Sequence, residues 1–446
     1  MKSSCPNACT SRSCLLFLFI FTIGTCWGAG YEKSVYWSAR NSALGGATVS
    51  AVDGADALYF NPAGLARGAA HEASINISPH NSAVKGPATI NNEKKSSDPQ
   101  WTLPGGILGK YELLDKRLGL GAGFYSAGGV ITSFEGVDYS GISSNFSAWK
   151  PDLKSNLTLL EFGFGAGYRL SDNLSLGVVW RIGIVRGELA SAKVVRSVGG
   201  TPIYLTGVAI KDLSEVKFDG AKVGIQYQGD DQKWGMGLVW RSAINFNAEG
   251  DSSGAMVMAS AARKLDMVGG KAKVANSFPN QITLGGHYKL SDLLALYAAY
   301  TWTEYSSNEK LTITGNVTTS TGAVIKISDI EQKWKDMHNL RLGGEWKLSS
   351  SWDLRTGYVI TSRVTNQDYA RVTFYPPGIG HTLIAGAGTK FLNNSMDLDF
   401  AAEYSFASNS GKTPDESSSA AYRTPPIAGD FSGRAISMML SSKYRF

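Results

Sequence analysis

Residues 158–170 read TLLEFGFGAGYRL, and every second side chain is apolar. One face carries Leu160, Phe162, Phe164, Ala166, Tyr168 and Leu170, and the other carries Glu161, Gly163, Gly165, Gly167 and Arg169. A repeat of two is that of a β-strand, whose successive Cβ atoms point to opposite sides. The stretch is therefore a strand with one apolar face and one face of glycine and charge. After Ser171 and Asp172 the alternation resumes, with Leu174, Leu176, Val178, Trp180, Ile182 and Ile184 against Ser175, Gly177, Arg181 and Gly183.

Working outward, fourteen such segments are centred near residues 75, 106, 122, 164, 180, 221, 238, 284, 299, 342, 357, 386, 401 and 440. An even number puts both termini on one side, and connections should then alternate between short and long as in bacterial outer-membrane barrels. Short links are read at 113–116, 171–172, 229–232, 291–292, 349–350 and 393–394. Long ones are read at about 81–99, 128–156, 187–214, 248–277, 307–335, 364–380 and 408–432. Three short links share a pattern, YRLSD from Tyr168, YKLSD from Tyr288 and WKLS from Trp346, with the aromatic on the apolar face. Aromatics at one end of strand after strand form the girdle of a membrane barrel, apolar ring inward and polar tip in water. A soluble sandwich shares the alternation but not this recurrence.

The first residues hold Lys2 and Arg12, then the apolar run Leu15 to Ile23, then Cys26-Trp27-Gly28, the three-part layout of a secretory leader cleaved after Gly28. A lipoprotein reading through Cys26 matches poorly upstream. All four cysteines, Cys5, Cys9, Cys14 and Cys26, lie within this leader, so the exported chain holds neither disulfides nor thiolate metal sites. A closed barrel satisfies its backbone by inter-strand hydrogen bonds alone. No stretch is apolar enough for a helical span. The 43 basic and 37 acidic residues, of which Lys2 and Arg12 leave with the leader, are too evenly balanced to indicate nucleic acid. With no linker-like stretch, the reading is a leader (1–28), an N-terminal plug (29–70) and one barrel (71–446), an all-β, 14-stranded antiparallel transmembrane β-barrel with a small helical plug in its lumen.

The plug is read from residues 41–65, NSALGGATVSAVDGADALYFNPAGL, a small-residue segment unlike the rest. Ser50 and Asp53 have the spacing to cap a short helix, and Asn61-Pro62-Ala63-Gly64 has the residues of a type I turn. Among the long loops, 187–214 and 248–277 carry apolar residues, the latter Met256, Met258, Leu265 and Met267 with Ala-rich helical character. Such loops suit either an apolar binding groove or a cap over the barrel. The five histidines are scattered without ligand spacing, and no nucleophile motif occurs, so no enzyme, cofactor or metal is indicated. The last strand ends at Phe446 on its apolar face, similar to the C-terminal signal read by the outer-membrane assembly machinery.

Several stretches carry a resemblance: Ala29-Gly30-Tyr31, the GGA…DGADALYFNPAG of the plug, Trp101-Thr102-Leu103-Pro104, GYRLSDNLSLG (167–177), WRSAINFNAEGD (240–251), FPNQITLGGHYKLSD (278–292), TWTEYS (301–306), WKDMHNLRLG (334–343) and SWDLRTGY (351–358). The chain resembles the FadL/TodX outer-membrane transporters of long-chain fatty acids and other hydrophobic compounds. The resemblance implies a 14-stranded barrel closed by its N-terminal plug and a capture groove between the third and fourth outer loops. It also implies a deeper pocket entered by Tyr31, and a kink in the third strand at Gly128, Gly129, Val130 and Ile131 that opens the wall sideways. For a carboxylate head group it nominates Lys335. A family arginine falls near Ser191, with Lys193 or Arg186 as substitutes. Long-chain fatty acids are the first ligand class implied and aromatic hydrocarbons the second. A structural or adhesive barrel, or a porin for polar solutes, is the reading from another class. Expected partners are a hydrophobic ligand, outer-membrane lipid and lipopolysaccharide, and the barrel-assembly machinery; the barrel is expected to be a monomer without cofactor.

Overall fold

A computed structural model describes residues 37–88, 94–114, 117–374, 376, 378–416 and 421–446, so the leader and Tyr31 lie outside it. Fourteen barrel strands follow in chain order. They are β1 (Glu72–Ile77 and His80–Pro87), β2 (Gln100–Thr102 and Gly105–Leu113), β3 (Leu118–Phe134), β4 (Leu153–Arg169) and β5 (Leu174–Ser197). Next come β6 (Pro202–Gln228), β7 (Trp234–Arg241 and Ile244–Met258), β8 (Lys271–Phe278 and Gln281–Lys289), β9 (Leu294–Thr303) and β10 (Met337–Lys347). The last are β11 (Trp352–Thr361), β12 (Gly380–Phe391), β13 (Met396–Lys412) and β14 (Ala428–Arg445). Every neighbour pair is antiparallel, and β14 returns to β1 with Glu72 opposite Arg445 and His80 opposite Ser437, which closes the barrel. Pro79, Pro104 and Pro279 stand in the breaks of β1, β2 and β8, where a residue with no N–H costs no ladder bond.

The alternation read from residues 158–170 is the division between lipid and lumen. Phe164 and Trp180 are 48% and 50% exposed, while Arg181 on the other face is fully buried. Tyr168, Tyr288 and Trp346 are exposed beside the short turns, where a girdle belongs. No helix among the described residues is long and apolar enough to cross a membrane; the barrel crosses with strands.

Two expected long loops are largely strand. The 187–214 segment is the upper part of the β5–β6 hairpin, paired from Leu189 opposite Ile210 to Val195 opposite Tyr204. In 248–277 the expected helical character is replaced by strand: β7 continues to Met258, pairing Val257 with Leu205 of β6 and Met256 with Leu265 of the strand Lys264–Gly269. The open edge of β6 supplies a ladder on one side, and burial of alternate residues Ala255 and Val257 overrides the helix preference of alanine.

Inside the barrel lie α1 (Ala39–Ala43), α2 (Ala57–Phe60) and the 3₁₀ turns Gly54–Asp56 and Pro62–Ala66. The expected Ser50–Asp53 cap does not form. Asp53 makes no side-chain cap bond, and the Ser50 hydroxyl instead lies 3.0 Å from Nδ1 of His287 on the barrel wall. The Asn61–Gly64 turn does form, with Gly64 N–H donating to Asn61 O at 3.0 Å. The fully buried Asn61 side chain accepts from Ala63 N–H (3.1 Å) and donates to Val49 O (2.7 Å) and to Ile225 O of β6 (3.0 Å).

The plug touches the wall backbone to backbone, and lumen-facing glycines allow it. A Cβ at Gly119 would lie 1.8 Å from Leu65 O, at Gly177 2.2 Å from Pro62 C, and at Gly237 2.2 Å from Val49 O. Charge fastens the same surfaces. Asp56 meets Lys443 of β14 at 2.8 Å and accepts from Trp37 Nε1 (2.7 Å) and Asn41 Nδ2 (2.9 Å), and Glu72 of β1 accepts from Ala55 N–H (2.8 Å). Arg40 of the plug joins Glu345 at 3.3 Å, which Arg355 holds at 2.6 Å.

Candidate functional site

Between β2 and β3 the ladder ends early. β2 and β3 pair from Leu113 opposite Leu118 up to Gly106 opposite Tyr125, and no ladder joins them above that level among the described residues. β3 stays with β4, its register shifting between Ser126 and Gly128. Gly129 has φ 148°, a setting that side chains rarely adopt, so glycine is what permits the turn inward. Below the bulge β3 alternates between exposed and buried; from Tyr125 to Val130 every residue is buried, which a strand facing lipid is not. The unpaired stretch is bounded above by Asp98 N–H donating to Ser133 O at 2.9 Å. The hydroxyls of Thr102 on one rim and Thr132 and Ser133 on the other are buried without a hydrogen-bond partner.

Beneath the bulge, Tyr125 donates to Glu161 Oε2 at 3.0 Å. Arg181 donates through Nε to the same oxygen at 3.0 Å, pairs with Oε1 through Nη2, and donates through Nη1 to Ser242 O at 2.9 Å. A lumenal cavity of about 60 Å³ lies between this group and the plug, bordered by Tyr59, Ala127, Lys222 and Arg341.

A groove and a narrower cavity lie on the outer side. A groove of about 430 Å³ is lined by Trp149, Leu189, Val208 and Met267, with Lys150, Lys211 and Lys264 at its sides. A narrower cavity of about 110 Å³ shares Leu189, Ala190, Ser191 and Val208 with it and is walled by Val194, Ile313, Ile327, Val372 and Ile427. Among the described residues, its charged lining residues are Lys154, Lys193, Arg371 and Glu416. Glu416 belongs to a strap that leaves β13 and reaches β5, where Tyr422 pairs with Ser197. It meets Lys193 at 3.1 Å and Arg371 at 2.5 Å. Burial alone would push its carboxyl up; Arg371 and Lys193 outweigh that and hold it below the usual carboxylate range.

A family model described as outer membrane protein transport protein (OMPP1/FadL/TodX) matches residues 32–446. The chain belongs to this family. Solved structures agree in fold: a Pseudomonas aeruginosa FadL homologue has a TM-score of 0.72 at 16% identity, over 94% of this chain and 100% of that one. The Pseudomonas putida toluene transporter TodX has a TM-score of 0.70 at 16% identity, over 93% and 99%. An outer membrane protein of Neisseria meningitidis serogroup B is 26% identical over 178 residues, 39% of this chain. That match spans 36% of the meningococcal protein's length. As a member of the OMPP1/FadL/TodX family of outer membrane transport proteins with a closed barrel, the protein is integral to the outer membrane.

In this FadL/TodX family member the residues nominated for a head group are not gathered. Lys335 and Arg186 are exposed, and neither lines the cavity that Lys193 reaches. Met267 lines the groove, Met256 packs half-buried on the core, and Met258 and Leu265 are half-buried outside its lining. Gly128 is the far side of the bulge, Val130 is buried and Ile131 half-buried beside the unpaired stretch. The Arg371–Glu416 contact escaped sequence reasoning, since the partners sit on different loops. Glu161 and Arg181, by contrast, already stood on the lumenal faces of adjacent strands. Among the described residues no cluster of His, Asp and Glu has the geometry of a metal site.

Proposed function

We propose that the barrel passes apolar molecules passively from the outer groove, through the cavity under the strap, to the bilayer through the opening between β2 and β3. The observation that carries this is the end of pairing above Gly106 and Tyr125, next to a segment buried on both faces. Each CH₂ moved from water to such walls gains about 0.8 kcal/mol, so capture needs no energy source. A wall opening at membrane level lets the molecule leave without crossing the polar lumen, which the plug obstructs. A porin for polar solutes calls for an open charged lumen, and the buried backbone contacts of the plug argue against it. We also infer that β14, ending at an exposed Phe446 that stacks near His71 and Tyr444, is the strand offered to the assembly machinery.

The test is uptake of a radiolabelled apolar tracer into liposomes carrying the purified barrel. The Gly128→Val, Gly129→Val double variant strains the bulge and, in barrels whose folding is confirmed by heat-modified gel mobility, should take up tracer several-fold more slowly. Undiminished uptake would refute lateral release.

A further inference from the structure

We propose that Glu416 occupies the place a carboxylate head group would take between Lys193 and Arg371, and so tunes the outer cavity to uncharged apolar ligands. This rests on the uptake reading above and names the ligand class. Lys193 and Arg371 flank one carboxylate in a cavity whose remaining lining is mostly aliphatic, with Lys154 and several serine and threonine side chains among it. Without Glu416 the two cations beside an apolar slot would make a receptor for a carboxylate with an alkyl tail. Arg371 has donor capacity left: its Nε is buried without a hydrogen-bond partner, although a guanidinium fork matches a carboxylate with two parallel bonds.

Glu416 is tethered where it sits. Its N–H donates to Thr424 O at 3.3 Å, Thr413 N–H donates to Ile427 O at 2.9 Å, and Tyr422 pairs with Ser197. An attached carboxylate competes at the high effective concentration of an intramolecular partner, so a free one must displace it and leave Glu416 without its cations. An uncharged ligand breaks no ion pair on entry. Discrimination here comes from an element set against the wrong ligand.

The test is titration calorimetry of the full barrel in detergent with octanoate and octanol, which share a tail and differ in head group. In Glu416→Gln the ratio of octanoate to octanol affinity should rise about tenfold, the scale of one charge-assisted hydrogen bond. Adding Arg371→Gln should abolish the rise. If Glu416→Gln does not fold, as judged by heat-modified gel mobility, Glu416→Asp retracts the carboxylate by one carbon and should give a smaller rise. A ratio that stays flat or falls while both ligands bind overturns this inference and leaves the uptake reading standing. Failure of both ligands to bind every variant overturns the uptake reading itself.

Discussion

The plug and the outer mouth are both interfaces between a loop segment and the barrel, yet they are built from opposite materials. The plug meets glycine, so backbone touches backbone, and its innermost ion pair is fully enclosed: Asp56 and Lys443 are 0% and 4% exposed, although Arg40 beside Glu345 stays 34% exposed. The mouth meets aliphatic side chains that leave a cavity, and its ion pair is open, with Lys193 and Glu416 at 34% and 27%. Backbone seated directly on backbone leaves little room for a second arrangement at those contacts, whereas side chains around an empty space can admit a guest. The comparison assigns retention to the plug and exchange to the mouth.

Deleting residues 41–64 should break this contrast most severely. The lumen would open, and single-channel conductance to small ions in planar bilayers should rise at least tenfold; conductance like that of the intact barrel would mean the segment does not close the lumen. Next, Lys443→Met strands Asp56 among buried groups, and loss of one partner of an enclosed pair costs about 3–5 kcal/mol. Thermal or urea unfolding should show it, and Asp56→Asn in the same chain should recover part of the loss. Gly177→Leu, which drives a side chain into the backbone at Pro62, sharpens the same point and should lower the melting temperature without changing the lipid-facing surface. Smallest is Glu416→Gln at the mouth. Exposed pairs contribute about 1 kcal/mol or less, so global stability should barely move. Because its carboxyl is held below the usual range, whatever Glu416 contributes is present at neutral pH and is lost only as pH falls through that lowered value.

Much of the barrel was legible because a strand between lipid and lumen must alternate, and Phe162, Phe164 and Tyr168 declare which side is which. All fourteen expected centres fall inside strands. The pattern breaks where tertiary context intervenes. Leu160 shares the parity of Phe162 but is buried, because it sits opposite Ser126 at the bulge, where the wall folds inward. The upper β7 strand was hidden because alanine and methionine suit helices, and only the edge of β6 decides otherwise. Ser50 and Asp53 had the spacing of a cap, but His287 from a distant strand takes the hydroxyl. The glycines of residues 163–167 were legible as a lumenal face, though not as a docking surface for Leu58 and Leu65. The cluster at Glu416 joins residues far apart in sequence, and no local pattern foretells it.

The central claim, that apolar molecules leave through the opening between β2 and β3, is tested most directly by bridging it. The chain has no cysteine after Cys26, so Thr102→Cys and Thr132→Cys place the only thiols of that region on the two rims. Joined by a short cleavable bis-thiol linker, the barrel should take up an apolar tracer several-fold more slowly and recover when the linker is reduced. Equal uptake with the rims joined and released would contradict lateral exit.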